Sequence, residues 1–332
     1  MARYGVRLEN DPNLSPKDYQ ELASQAEKNG FETVWVPEGG GRDSLTSLAT
    51  IAMRTEKVKL GTGILPIFAR TPTNTAMGAA GMAAVSDGRF MLGLGVGHAP
   101  TVESRDGIPF KQPMTRMRET IQIVKALLAG EKVNFTGKQF KLTGASMGAS
   151  TPKTKVPIYI AALGPQMLEL VGELADGVLM NWTAVDYLDD AIGHIKRGAE
   201  KVGRDLSEID IAGYVRVAVG DDVSASRNSL RYQVARYASN PFYRNFFAET
   251  GFDEEMSDAA AALADGNLDK AADSITVEMQ DQVAVVGTAE ECRAALEKRR
   301  AAGLQLPVIA PFAVGDNMAS HQYVIEALAP NT

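Results

Sequence analysis

Residues 58–97 read VKLGTGILPIFARTPTNTAMGAAGMAAVSDGRFMLGLGVG. Val58–Gly61 is a short apolar strand, Thr73–Val85 a helix-forming run and Phe90–Leu94 a second apolar strand. A strand, a helix and a strand in that order make a βαβ unit, whose two strands lie parallel. The same unit recurs on both sides. Upstream, Arg3–Leu8 is a strand followed by a turn rich in Asn, Asp and Pro. Ser15 and Pro16 suit the start of a helix running to about Asn29, and Gly30 suits its end. Thr33–Val36 is the next strand and Asp43–Arg54 the next helix.

Downstream, the helix Thr115–Leu128 is followed by a break in rhythm after Gly130. Val133–Phe135 and Gln139–Leu142 form a short hairpin, and Gly144–Lys155 is a loop. The alternation resumes with strand Pro157–Ala161, helix Pro165–Leu174, strand Gly177–Met180, helix Val185–Val202 and strand Ile209–Val219. A long helical stretch from about Val223 to Leu263 precedes the last helix, Thr288–Ala302, and the last strand, Leu306–Ala310. About eight strands are what a closed (β/α)8 TIM barrel needs; an open doubly wound sheet is the alternative. The expected organisation is one barrel domain over 1–332, with a hairpin and loop insertion at 131–156 and a helical insertion at 223–285.

The 332 residues are 45% hydrophobic and 23% charged, with a net charge of −7. That is ordinary globular chemistry. No block of Lys and Arg interleaves with aromatics, so no nucleic-acid surface is expected. The one cysteine, Cys292, cannot form an internal disulfide and is expected to be inert in a helix, which suits a reducing cytoplasm. Three histidines make no His/Cys metal site, and no apolar run reaches the ~18 residues of a membrane span.

Ligands of a barrel bind where strands end, and four strand ends are unusual. Gly61-Thr62-Gly63-Ile64-Leu65-Pro66 has two glycines that permit close approach by a flat ligand. Gly93-Leu94-Gly95-Val96-Gly97-His98 is either a tight strand exit or a ligand contact, with Ala99-Pro100 expected not to open a helix. Ala161-Ala162-Leu163-Gly164-Pro165-Gln166 runs straight into a helix, whose free amides and dipole suit a phosphate. Pro37-Glu38-Gly39-Gly40-Gly41 has three glycines and one acid.

GTGILPIFARTPTNTAMGAAGMAAVSDGRFMLGLGVG and PIYIAALGPQMLELVGELADGVLMN, together with GAEKVGRDLSEIDIAGY and VVGTAEECRAAL, resemble the luciferase-like flavin/deazaflavin oxidoreductases. The likeness is nearest to the coenzyme F420-dependent methylenetetrahydromethanopterin reductases. It implies an oxidoreductase that moves a hydride between C5 of the 8-hydroxy-5-deazaflavin coenzyme F420 and a small organic substrate, in a homodimer. It further implies a non-prolyl cis peptide at Gly63–Ile64, with Ile64 backing the deazaflavin ring. Val96 and Gly97 are implied beside that ring, and the amides of Leu163 and Gly164 on the coenzyme phosphate. Gly39, Thr62, Ala162 and Asn181 complete the implied cofactor-binding set, and Arg70 is either a phosphate ligand or part of a surface ion pair.

Three departures concern the substrate side. The methanopterin reductases carry an Asp-His pair where this chain has Glu38-Gly39, an acid at Arg7 and an acid at His98. The family's sugar-phosphate dehydrogenases carry a phosphate-binding Lys where this chain has Trp182-Thr183. His98 is the first candidate for proton donor or substrate anchor, since imidazole titrates near neutrality; the alternative is a loop histidine on a carbonyl. Glu38 can bind coenzyme, donate a proton or be a solvated acid. Arg7 can pair with a substrate carboxylate, or with Glu38 or Glu9. His194 and His321 are expected on exposed helical positions, and Trp35 and Trp182 in packing roles. The aromatic residues Tyr232, Tyr237, Phe242, Tyr243, Phe246 and Phe247 either cap the barrel mouth, form an interface or pack as core. Two other readings remain: an FMN-dependent monooxygenase using reduced flavin and oxygen, and a non-catalytic flavin-binding protein.

Overall fold

A parallel strand buried on both faces must place every side chain either inside a barrel or under a helix. The computed structural model describes residues 3–9, 11, 13–39, 41–220, 222–312 and 315–330. Its strands, in chain order, are β1 (Gly5–Arg7), β2 (Thr33–Val36), β3 (Lys59–Thr62), β4 (Leu65–Pro66), β5 (Phe90–Gly95) and β6 (Val133–Thr136). There follow β7 (Lys141–Ala145), β8 (Ile158–Ile160), β9 (Gly177–Asn181), β10 (Asp210–Val219), β11 (Ala284–Gly287) and β12 (Leu306–Pro311). The order β1-β2-β3-β5-β8-β9-β10-β12 is parallel throughout and closes from β12 back to β1. This is a (β/α)8 barrel, and the open sheet is excluded.

Local chemistry sets the helix boundaries. Ser15 caps Pro16–Lys28 in a capping box with Asp18, Asp43 caps Ser44–Ala52, and Thr288 caps Ala289–Ala301 in a box with Glu291; each cap satisfies an otherwise orphaned amide. The antiparallel hairpin β6–β7 stands apart from the barrel. Between β10 and β11 come five α-helices, Val223–Tyr237, Pro241–Phe247, Asp253–Ala264, Leu268–Asp273 and Val277–Val283.

Several elements differ from the sequence reading, among them the short strand β4, which pairs with β5. Residues 284–285 are not helical: they start β11, which extends the sheet along β10 beyond the point where β9 ends. Four apolar residues after a helical run carry no period of their own. A further helix, Asn317–Ala327, follows β12. Ala99-Pro100 does open a helix, Ala99–Asp106, because Pro in a first turn lacks only an amide that would have no helical partner.

The barrel interior has its own core of Trp35, Met91, Tyr159, Leu179, Ala212, Tyr214, Leu306 and Val308, separate from the larger core between strands and helices. Trp35 and Tyr159 meet edge to face, with ring centroids 5.2 Å apart. Their register partners are Gly61 and Gly177. A Cβ on Gly61 would lie 2.3 Å from Trp35 Cε3, and one on Gly177 would lie 2.3 Å from Tyr159 Cε1. The base of the barrel is closed by Arg3, which binds Glu32 at 2.7 Å and Asp210 at 2.9 Å, while the Tyr159 hydroxyl donates to Asp210 at 2.8 Å.

Gly61→Ala forces the fully buried Trp35 ring to move. It is expected to cost about 1–3 kcal/mol, measured as a lower urea midpoint at unchanged m-value. An unchanged midpoint would show the interior to be loosely packed.

Candidate functional site at the barrel mouth

Period-two alternation puts Arg3 with Arg7, and Asp210 with Tyr214 and Arg216, on one face; position along the strands then sets Arg3 and Asp210 at the N-terminal base and Arg7, Tyr214 and Arg216 toward the C-terminal mouth. The Arg7 guanidinium lies 5.2 Å from the Tyr214 ring centroid, and that of Arg216 lies 5.9 Å from the same ring and 4.3 Å from Trp182. Arg216 is 5% exposed and donates to Asn181 Oδ1. Asn181 Nδ2 in turn donates to the Tyr243 hydroxyl at 2.5 Å. Tyr243 comes from the inserted helix Pro241–Phe247, whose capping residue Asn240 lies 3.2 Å from His98 Nδ1. The rings of His98 and Tyr243 are 5.5 Å apart. The inserted segment thus sits over the exits of β5 and β9. Tyr243, Phe246 and Phe247 are buried, while Phe242 is exposed.

Charge at this mouth is costly. Burial, and then the neighbouring Arg216, push the Arg7 guanidinium down to about 10. Burial raises the Tyr214 and Tyr243 hydroxyls, so both stay protonated, and lowers His98. Trp182 has φ +56°, a rare backbone for a bulky residue. Arg216 on its face and Tyr237 at 5.2 Å enclose it.

The candidate residues separate into groups. Arg7 forms an ion pair with Glu9. Glu38 Oε2 accepts from Arg70 at 3.2 Å, and Arg70 also binds Asp43 at 2.6 Å. Arg70 is therefore in an ion pair, and Glu38 is tied to the start of helix Ser44–Ala52 through Ser44 N at 3.4 Å. Gly39 bridges to Arg42; Gly40 lies outside the described residues. Thr62 spends its hydroxyl on β5, accepting from Gly93 N at 2.8 Å and donating to Gly93 O at 2.9 Å.

The Gly63–Ile64 peptide is trans, as there is no cis bond among the described residues, which corrects the expectation taken from the resemblance. Trans geometry leaves Gly63 fully bonded: its N–H donates to Val36 O at 2.7 Å, and its carbonyl accepts from the Tyr214 hydroxyl at 3.2 Å. The strand still breaks there, between β3 and β4. Ile64 packs over Gly95, where a Cβ would lie 2.7 Å from Ile64 Cδ1. Val96 is half-buried and Gly97 has φ +72°.

Ala162 and Leu163 are buried at the exit of β8, and the Leu163 carbonyl accepts from the Tyr187 hydroxyl at 2.8 Å. Gly164 caps Pro165–Leu174 with no side-chain bond, and the space where its Cβ would stand is open. His98 holds the equivalent position before Ala99–Asp106, also without a side-chain cap.

His321 is a correction: it is 1% exposed, not on a surface. Its Nδ1 lies 2.8 Å from Asn317 O, and its Nε2 has no hydrogen-bond partner among the described residues. His194 is half-buried beside Glu169 and Arg197. Cys292 is buried, its thiol pushed up to about 12 by burial. Among the described residues no group of His, Cys, Asp and Glu could hold a metal, and no helix is long and apolar enough to cross a membrane.

A family model described as luciferase-like monooxygenase matches residues 2–306. The chain belongs to that family. Among luciferase-like relatives, 5,10-methylenetetrahydromethanopterin reductase of Methanolobus tindarius is 33% identical over 95% of both chains. The same-named protein of Archaeoglobus fulgidus is 30% identical over 96% of this chain and 97% of its own. The solved structure of coenzyme F420-dependent tetrahydromethanopterin reductase from Methanopyrus kandleri has a TM-score of 0.85 at 26% identity, covering 99% of each chain.

Sequence reasoning missed Arg216, Tyr214 and Asn240 in this luciferase-like barrel. The signal for Arg216 was present: it is the one charge inside the apolar run Ile211–Val219. Asn240 before Pro241 has the form of a helix cap, but its reach to His98 spans 142 residues.

Both His98 and His321 have folded-state pKa values below the ordinary 6.5. The unfolded chain therefore binds more protons as pH falls through 6.5, and stability present above that pH is lost below it. The urea midpoint is expected to drop between about pH 7.5 and about pH 5.5. The drop should shrink in a His98→Gln/His321→Gln double variant. An equal drop in that variant would assign the loss to other groups.

Proposed function

We propose that the chain is an oxidoreductase using coenzyme F420 and acting on a small organic substrate other than methylenetetrahydromethanopterin. The observation that carries the coenzyme reading is the uncapped start of helix Pro165–Leu174, with open space at Gly164 beside the glycine-lined exits of β3 and β5. Free amides and a helix dipole suit a phosphate. The named relatives support the deazaflavin over FMN.

Leu163 and Gly164 would hold the phosphate, Ile64 would back the ring from its seat on Gly95, and Val96 and Gly97 would flank it. When bound, the coenzyme supplies two-electron hydride transfer at C5. The chain's part is positioning, exclusion of water and proton handling. With Nδ1 engaged by Asn240, His98 has Nε2 left to exchange a proton with substrate. The Tyr243 hydroxyl, held protonated by burial and accepting from Asn181, is a second neutral donor at the same mouth.

The different substrate is supported by Glu38-Gly39, Arg7 and His98, where the methanopterin reductases carry Asp-His and two acids. A homodimer in the cytoplasm is the proposed assembly and compartment, for which sedimentation velocity is the check on the first.

Titration of the purified protein with F420 and with FMN, followed by fluorescence, tests the coenzyme. Saturation by F420 in the micromolar range with negligible FMN binding is expected; the reverse would sink the reading. His98→Ala is expected to lower turnover of the reduced coenzyme about 100-fold or more, with F420 affinity nearly unchanged. Wild-type turnover would remove His98 from the reaction.

A further inference from the structure

Two guanidiniums, Arg7 and Arg216, face one tyrosine ring at the barrel mouth. Glu9 pairs with Arg7. No carboxylate lies within ion-pair distance of Arg216 among the described residues, so these three groups carry two positive charges and one negative. Hydrogen bonding is also incomplete. Arg7 Nε and Trp182 Nε1 are buried donors with no hydrogen-bond partner among the described residues, and an unmet buried donor is unfavourable. Like charges brought together out of water, with donors unspent, describe a site built for an acceptor that arrives with negative charge.

We propose that Arg7 and Arg216 form an anion subsite for the substrate, and that the substrate is a small monocarboxylic acid. This rests on the oxidoreductase reading for the word substrate; the anion site itself does not. Two observations favour a carboxylate over a phosphate. The charge surplus is a single unit, which a monoanion matches and a phosphate dianion exceeds. Arg216 spends Nη1 on Asn181 and Arg7 pairs through Nη1 with Glu9, while the Arg7 Nε–H has no hydrogen-bond partner among the described residues and is open to a planar oxygen group, the geometry in which arginine binds carboxylates. The Asn181 side chain fixes Arg216 from one side and Tyr243 from the other, so the anion subsite is joined to the candidate proton donor by one amide.

The test uses the full chain with crotonate and its uncharged amide, crotonamide, as matched probes, plus inorganic phosphate. Binding is followed by calorimetry and by the arginine Nε resonances, with and without F420. Crotonate is expected to bind saturably, shift the Arg7 and Arg216 Nε signals and exceed crotonamide in affinity by at least about tenfold. Arg7→Gln and Arg216→Gln should each lose about tenfold or more, and Arg216→Lys should lose less than Arg216→Gln. The wild-type resonance shifts keep the test meaningful if a variant does not fold. Equal binding of acid and amide, or unchanged affinity in both Gln variants, overturns the proposal. Tighter binding of phosphate overturns the assignment to a carboxylate, and mutually exclusive binding of F420 and crotonate returns the guanidiniums to the coenzyme's own anionic groups. Crotonate binding without any F420 binding leaves the anion site standing and removes the coenzyme reading.

Discussion

The edge-to-face packing of Trp35 on Tyr159 inside the barrel is the contact on which the rest of the structure depends. Eight strands enclose a space that side chains must fill. Here two large rings fill it at mid-height, and glycines at 61 and 177 make the room. With the middle plugged and the base locked by Arg3, Glu32 and Asp210, the two ends of the barrel differ in kind. The base is a network of satisfied ion pairs, whereas the mouth holds charges and donors that are incompletely matched.

The glycines at the strand exits continue the same logic upward. Gly63 cannot carry a Cβ because the Tyr214 hydroxyl and Pro37 N would lie 2.5 and 2.8 Å away, and Gly95 is filled by Ile64. Side chains are withheld where backbone and ring must meet, and Ile64 becomes a shelf over the interior core. Opposite it, the inserted helix Pro241–Phe247 brings Asn240 and Tyr243 to His98 and Asn181. The barrel supplies one wall of the mouth, and the helical segment between β10 and β11 supplies another.

How much of this was legible in sequence follows from how far each interaction reaches along the chain. The eight barrel strands and the capped helices were legible because alternation, Ser15, Asp43 and the prolines act within a few residues. The strand-end glycines were legible for the same reason. Strand β11 was not, since four apolar residues have no period, and neither was the helix after His98, whose proline reads equally as a stop or a first turn. The Gly63–Ile64 bond departs from the resemblance, and the partner of the Gly63 carbonyl, Tyr214, lies 151 residues away. His321 looked exposed by helical position, yet it is buried, because helix Asn317–Ala327 packs against β10, β12 and helix Pro16–Lys28. Glu38 and Arg70 were each read alone, and only folding revealed that they satisfy one another.

Arg7 and Arg216 show why the substrate side of such a pocket is harder to read than the cofactor side. Flat rings and phosphates are accommodated by backbone and by absence of side chains, which glycine marks in any sequence. Charged groups such as Arg7 and Arg216 come from strands far apart in the chain, β1 and β10, and meet only on closure of the ring. Replacing buried like charges with apolar groups would ordinarily stabilise the fold. Their presence at the mouth is therefore a local loss of stability, and a ligand that binds only the folded chain offsets it by mass action.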